Sequence, residues 1–337
     1  MKNKTINKNH RRRTIKLMAA GAAALALPGN TLAAILKNDA GFFRWHGQAM
    51  GAEISLQLFH GDGAQADRII RGAIKIIKDM ESIFSLYKPE SIISRLNSQG
   101  ILHQPPAEFT DLLLRANNVS RLTSGAFDIT VQPLWQYYKS RFLDVNSDEG
   151  WVPDRAFRTA RALVGYENLF ISQEMISFNK PNMALTLNGI AQGYITDVVS
   201  DYFKNEGMTS VLVDIGEYRA LGPQANNSPW RIALADPENI GGISHIVEMR
   251  QGAIATSSGT GDIFDIQGRH HHLLDPHSGY SANKYMSVTV TAPDATTADA
   301  LSTAFFSMAE GHIKKYIENH PSVTARLTYQ NGKVTSF

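Results

Sequence analysis

Val288-Thr289-Val290 alternates apolar and polar side chains, and eight residues later Ala298-Asp299-Ala300-Leu301-Ser302-Thr303 reads as a helix. Alternation is the period of a strand with two different faces. Residues four apart, as Asp299 and Thr303 are, share one face of a helix a single turn from each other. A second helix follows over Ile313–Asn319, then a closing strand pair at Val323–Thr328 and Lys333–Ser336. Upstream, His272-Leu273-Leu274-Asp275-Pro276 and Gly279 make a turn-rich approach to the strand. Strand, helix, helix and paired strands do not give the regular βαβ repeat of a parallel sheet.

Working outward, Phe43–Trp45 and Ala52–Leu58 read as strands, and the turn Gly61-Asp62-Gly63 leads into a helix. There Ile69, Ile70, Ala73, Ile74, Ile77, Met80 and Phe84 fall on one stripe. A second helix covers about Pro106–Leu122, and Ser124-Gly125-Ala126-Phe127-Asp128 leads into a strand or loop. Residues 140–165 read as charged and helical. Ala184-Leu185-Thr186-Leu187 reads as a buried strand entering Asn188-Gly189 and a helix through about Phe203. Ser210–Asp214 is another strand, and short strands dominate from Trp230 to Val290. The expectation is α+β: mixed sheets with packed helices in a single large domain, with no linker dividing it.

The first 33 residues read as an export signal. Arg11-Arg12-Arg13 precede an uncharged run, Leu17–Leu27, and Thr31-Leu32-Ala33 has the small residues of a cleavage site. The run is too short to span a bilayer. Paired arginines before Thr14-Ile15-Lys16 point to the twin-arginine route, with an ordinary secretory signal as the alternative. The domain expected to follow is 34–337, in the periplasm, with no transmembrane span in the mature chain. The signal holds seven of the 33 Lys and Arg and no Asp or Glu, so 26 basic residues remain against 31 acidic. The formal charge moves from +2 to −5, which removes electrostatic support for nucleic-acid binding. With no cysteine, disulfides, thiolate metal sites and cysteine nucleophiles are excluded.

Asp299 and Thr303 offer hard oxygens, which suit Mg²⁺ or Ca²⁺ and not zinc. A metal–phosphate site at a helix start is the leading reading of that pair. Asn188-Gly189-Ile190-Ala191-Gln192-Gly193-Tyr194 is a strand-to-helix turn whose free N–H groups attract anions, though glycines needed for helix packing explain it equally well. Ser257-Ser258-Gly259-Thr260-Gly261 could wrap phosphate oxygens or be a plain hairpin turn. In His270-His271-His272, a strand would put His270 and His272 on one face and His271 on the other. A transition-metal reading is open to the tract, but a polar site histidine at 272, able to move a proton, is preferred. Tyr87, within Ser85-Leu86-Tyr87-Lys88-Pro89-Glu90-Ser91, either stacks on a flat ring or fills the core.

In this order the segments resemble the FAD:protein FMN transferase family (ApbE-type), from about Trp45 to Val334. The carriers are Met50-Gly51, Phe84-Ser85-Leu86-Tyr87, Gly125-Ala126-Phe127-Asp128, Asn188 to Tyr194, Ala255-Thr256-Ser257, His272 to Gly279, and Ala298-Asp299-Ala300 with Thr303. The resemblance implies a T-fold-like α+β domain. It implies FAD contacts from Met50, Tyr87, Ala126, Phe127 and Asp128, a flavin pocket including Thr186 and Gln192, and the Leu274 backbone beside the flavin. It implies Mg²⁺ held by the Gly189 carbonyl, Asp299 and Thr303. His272 is the residue expected to assist catalysis, with Asp275 close by. The implied reaction has a Thr or Ser hydroxyl of a partner protein attack the FAD pyrophosphate, giving phosphoester-linked FMN and AMP.

The chain departs from the common pattern where Thr186 replaces Asp, Gln192 replaces Lys or Glu, Ser258 replaces Gly, and Asp214-Ile215-Gly216-Glu217-Tyr218-Arg219 replaces a double-glycine version. These variants resemble the NosX subgroup, which implies a membrane-anchored, NosR-like flavoprotein client in nitrous-oxide respiration. Lost charge at 186 and 192 also leaves two alternatives: an FAD carrier without transferase activity, and an FAD pyrophosphatase.

Overall fold

The computed structural model describes residues 35–37, 41–142, 152–239, 241–265 and 267–337; the expected signal, 1–33, lies outside them. Its strands are β1 (Leu36–Lys37), β2 (Phe42–Ala49), β3 (Ala52–Phe59), β4 (Ile101–His103), β5 (Leu169–Ile171), β6 (Met175–Phe178), β7 (Val211–Asp214) and β8 (Tyr218–Leu221). They continue as β9 (Trp230–Ala235), β10 (Ile243–Met249), β11 (Gly252–Ser258), β12 (Tyr285–Ala292), β13 (Thr324–Tyr329) and β14 (Val334–Ser336). The helices are α1 (Gly63–Phe84), α2 (Ile92–Gln99), α3 (Ala107–Leu122), α4 (Gln132–Arg141), α5 (Arg155–Ala162), α6 (Ala191–Asn205), α7 (Ala295–Ser307) and α8 (Glu310–Asn319).

Nine strands form one sheet in the order β1-β2-β3-β7-β8-β11-β12-β13-β14, and every pairing among the described residues is antiparallel. Alternation along the central strands divides the interior. Val211, Val213, Ala253 and Ala255 enter the large core with α1, α6 and α7, while Leu212 and Ile254 point the other way. On that second face the β9–β10 hairpin packs Trp230, Ile232 and Leu234 against them. A third cluster, built on Tyr137, Tyr138, Phe142 and Phe157 of α4 and α5, reaches Leu274. Among the described residues no helix is long and apolar enough to cross a membrane.

Local chemistry starts several helices. Asp62 accepts the N–H groups of Ala64 and Gln65 at the head of α1, Ser91 caps α2 through Ser94 N–H, and Asp294 caps α7 through Thr297 N–H. The α1 stripe buries Ile69, Ile70, Ala73, Ile77, Met80 and Phe84, as its period requires, and Ile74 is half-buried beside them. The helix α7 is buried around nearly its whole circumference, which its alanines allow.

Two sequence expectations are corrected. Ala184, Leu185 and Leu187 are buried and Thr186 is half-buried, but the segment forms no strand. Its backbone is bonded elsewhere: the Asn97 side chain donates to Leu185 O and accepts Leu185 N–H, and Thr186 N–H donates to Ile129 O. After Asp128 there is a short 3₁₀ turn and then α4, where a strand or loop was expected. The α4 sequence Gln-Pro-Leu-Trp-Gln-Tyr-Tyr is rich in weak helix formers, and its helix is held by burial of Leu134, Tyr137 and Tyr138. Of the region 140–165, α4 ends at Arg141, α5 covers Arg155–Ala162, and 143–151 lie outside the described residues.

Candidate functional site

The head of α6 meets α7 at the edge of the large core. Gly193 N–H donates to Asp299 Oδ2 at 3.0 Å, and a Cβ built on Gly193 would lie 2.3 Å from Ala295 O. Only glycine allows that approach. A Cβ on Gly189 would lie 2.7 Å from Thr303 Oγ1, so Gly189 also sits directly against α7. The Ser257 hydroxyl, at the end of β11, lies 2.8 Å from Ser302 Oγ and 3.4 Å from Thr303 Oγ1. The structure thus sets Gly189 against Thr303, with Asp299 one turn earlier on α7, and adds Ser257 and Ser302 beside them.

A second acid joins them. Glu217 lies in the turn just before β8, is buried, and feels the charges of Asp299 and Asp214. Burial first, and those two carboxylates next, push its pKa well above the ordinary range. Burial likewise raises Asp299 to about 7, against the opposing Gly193 hydrogen bond. Buried acids whose neighbours disfavour their charge, Glu217 beside Asp299 and Asp299 beside Asp197, make a place where a cation is stabilised. With the Thr303 hydroxyl and the Gly189 backbone alongside, the side-chain donors are all oxygen, which fits Mg²⁺ bound by few protein ligands together with phosphate. Among the described residues no set of three or more His, Cys, Asp or Glu could hold a metal by itself. The site fits a mixed oxygen set. Glu217 stands in Val213–Tyr218 without any local signal that it approaches Asp299.

Gln192 lies over Gly216, whose φ is +89°, with a Cβ there only 2.5 Å from the amide nitrogen. The amide therefore covers the turn between Asp214 and Glu217. Thr186 accepts Asn188 N–H at 3.3 Å, which orders the turn before α6.

The loop 257–261 runs from this corner to the histidines. Built Cβ atoms on Gly259 and Gly261 would lie 3.2 Å from His271 Nε2 and 2.7 Å from His272 Cε1. The three histidines separate. His270 stacks on Phe142, with ring centres 4.7 Å apart, and His271 is buried edge-on against Phe306. That arrangement excludes the tract as a three-histidine metal site. His271 Nδ1 accepts Leu273 N–H, so its Nε2–H points to Asn283 Oδ1 at 3.2 Å, and burial lowers it to about 4. His272 is half-buried, and burial lowers its pKa too, so the ring is neutral at pH 7. Its Nδ1 meets both the N–H (3.2 Å) and the carbonyl (3.3 Å) of Asp262. When Nδ1–H donates to that carbonyl, Nε2 is left as a proton acceptor.

Asp275 closes its own turn: Oδ1 accepts His277 N–H and Oδ2 accepts the Ser278 hydroxyl. Leu274 is buried and bridged to Ser281. Arg161 donates to His277 O through Nε and Nη2, fastening this turn to α5. A Cβ on Gly125 would lie 3.2 Å from His277, which brings the turn beside Ala126 and Phe127, both buried. Asp128 is buried and fully engaged, taking Thr130 N–H and hydroxyl on Oδ1 and Tyr166 N–H on Oδ2. Tyr87 is 66% exposed, which sets aside its core reading, and it lies beside Gly51. Glu81, not singled out from the sequence, joins these loops by accepting Met50 N–H at 3.0 Å and pairing with Lys88 at 2.7 Å.

The model of the ApbE family matches residues 50–327. The chain belongs to the ApbE family. It is 32% identical over 276 residues to the FAD:protein FMN transferase of Vibrio cholerae, covering 78% of this chain and 80% of that one. The Haemophilus influenzae FAD:protein FMN transferase is 29% identical, with 77% and 78% covered. The crystal structure of the Thermotoga maritima ApbE protein superposes with a TM-score of 0.77 at 28% identity, covering 87% of this chain and 96% of that one. The flavin transferase ApbE of Vibrio cholerae gives 0.75 at 26% identity, covering 88% and 97%. As an ApbE-family fold, the chain is the single-domain α+β enzyme scaffold anticipated from its sequence.

Proposed function

We propose that this ApbE-family chain is an FAD:protein FMN transferase that uses Mg²⁺ and acts on an exported flavoprotein. One observation carries the reading: Asp299, Thr303, Ser257 and Gly189 converge at the head of α6 beside the buried acid Glu217. Asp299, Thr303 and the Gly189 carbonyl would hold the cation. When bound, the cation supplies charge neutralisation at the diphosphate oxygens.

The remaining work falls to side chains. Tyr87, exposed beside Met50-Gly51, offers a ring face to a flat ligand, and Glu81 holds that pair of loops together. The neutral His272 ring is the group available to take the proton of an attacking hydroxyl at Nε2. Asp275 shapes the neighbouring turn and is not free to act as the base. The hydroxyl forms a phosphoester with the FMN phosphorus as the bond to AMP breaks.

Arg11-Arg12-Arg13 and the following apolar run support delivery to the periplasm by the twin-arginine route. The variant segments at Leu185–Tyr194 and Val213–Gly222 support a membrane-anchored, NosR-like client. Incubating the purified chain with FAD, Mg²⁺ and a client domain distinguishes the alternatives by mass spectrometry. FMN covalently attached to a client Thr or Ser, with AMP released, is the expected result. Free FMN with AMP would make the chain a pyrophosphatase, and intact FAD held by the chain would make it a carrier.

A further inference from the structure

Asp197 lies on α6, one turn beyond Gly193, and is none of the oxygen donors proposed for the cation, though its charge bears on Asp299. Its carboxylate is buried and saturated. Oδ1 accepts Ala295 N–H at 2.8 Å and Arg219 Nη1–H at 2.7 Å, and Oδ2 accepts Thr296 N–H at 2.8 Å together with the Thr296 hydroxyl. Ala295 and Thr296 are the first two residues of α7, where amides have no partner within the helix. The next amide, Thr297 N–H, goes to the cap Asp294. Asp197 therefore caps a helix other than its own.

The consequence for the site is geometric. Asp299 lies one turn, and Thr303 two turns, beyond Ala295 on α7. The helix α6 grips α7 at two heights: Asp197 takes the first two amides, and Gly193 N–H takes Asp299 Oδ2. At Gly193 the two backbones are too close for a Cβ, so the crossing leaves no room to slide. Turning α7 about its axis would break the Asp197 bonds and move both oxygen donors. Arg219, from β8, compensates the buried charge and ties it to the strand that follows Glu217.

We infer that Asp197, braced by Arg219, is a positioning residue that sets the register of α7 and so places Asp299 and Thr303 for the cation. It is not itself a ligand, since its oxygens already accept four hydrogen bonds. The inference rests on the Mg²⁺ reading proposed above.

The test is Mn²⁺ binding to the full-length chain, measured alone by electron paramagnetic resonance, beside the thermal midpoint of each variant. Asp197→Asn keeps the size but not the charge and twofold acceptance, and should weaken Mn²⁺ about 10- to 100-fold. Thr296→Val removes only the hydroxyl donor and should weaken it by about threefold. Ile232→Val, in the core on the opposite sheet face, controls for stability and should leave Mn²⁺ affinity unchanged while lowering the midpoint. Folded Asp197→Asn that binds Mn²⁺ like the parent overturns the inference. If Asp197→Asn does not fold, Thr296→Val decides, and unchanged affinity there overturns it as well. Failure of the parent chain to bind Mn²⁺ removes the metal reading instead, and is told apart because no substitution is involved.

Discussion

The α6–α7 corner and the loop 124–130 each hold a buried aspartate, and the two acids have opposite surroundings. Asp128 takes two backbone N–H groups and a hydroxyl, all within its own neighbourhood and that of Tyr166. Asp299 takes one N–H and faces a second buried acid, Glu217. Burial raises both from the ordinary carboxylate range. Only Asp299 keeps an electrostatic deficit that a cation would fill. The difference teaches that burial alone does not mark a functional acid; what matters is whether the fold has already satisfied it.

Removing the unsatisfied acid should have the largest consequence. Asp299→Ala should abolish FMN transfer and weaken Mn²⁺ by more than about 100-fold, measured by adduct mass and paramagnetic resonance. Product formed at the parental rate would dismiss Asp299 as a ligand. Asp128→Ala should invert the pattern, losing about 2–4 kcal/mol of stability in thermal or urea unfolding as the Thr130 and Tyr166 donors lose their acceptor. Its affinity for Mn²⁺ should stay at the parental value.

Acidity sharpens the contrast. Asp299 titrates near 7 in the folded chain and near 3.8 as a free side chain. Between those values the native state binds more protons than the unfolded one, so without metal this group's contribution to stability falls as pH rises, and levels off above 7. A cation displaces that proton, so Mn²⁺ affinity should climb by up to about tenfold per pH unit from 5 to 7, then flatten. A flat profile from pH 5 to 8 would mean that Asp299 is already ionised. The smallest effect is expected at Tyr87, whose ring is mostly outside the core. Tyr87→Ala should leave the unfolding midpoint unchanged and raise the dissociation constant for FAD about fivefold, the worth of roughly 1 kcal/mol of ring stacking. Calorimetric titration with FAD measures it.

The sequence by itself determined what depends on near neighbours. The stripe from Ile69 to Phe84, the alternating Val288-Thr289-Val290 and the Asp299–Thr303 face each follow from backbone period, and each occurs in the fold as anticipated. The α+β class followed from the order of those elements, while the antiparallel pairing of every described strand came only from the structure; the ordered segments carried the family likeness that the ApbE match supports. Tertiary structure alone decided which groups are paired. Ala184–Leu187 has the composition of a strand, but the Asn97 amide, 88 residues from Leu185, takes its hydrogen bonds. His270, His271 and His272 are adjacent in sequence, yet aromatic neighbours from α4 and α7 send two of them into different cores. Glu217, Gly193 and Asp197 acquire their meaning only where α6, α7 and β8 cross. Hydrogen-bond saturation and charge pairing are sums over residues distant in the chain, so no local pattern encodes them.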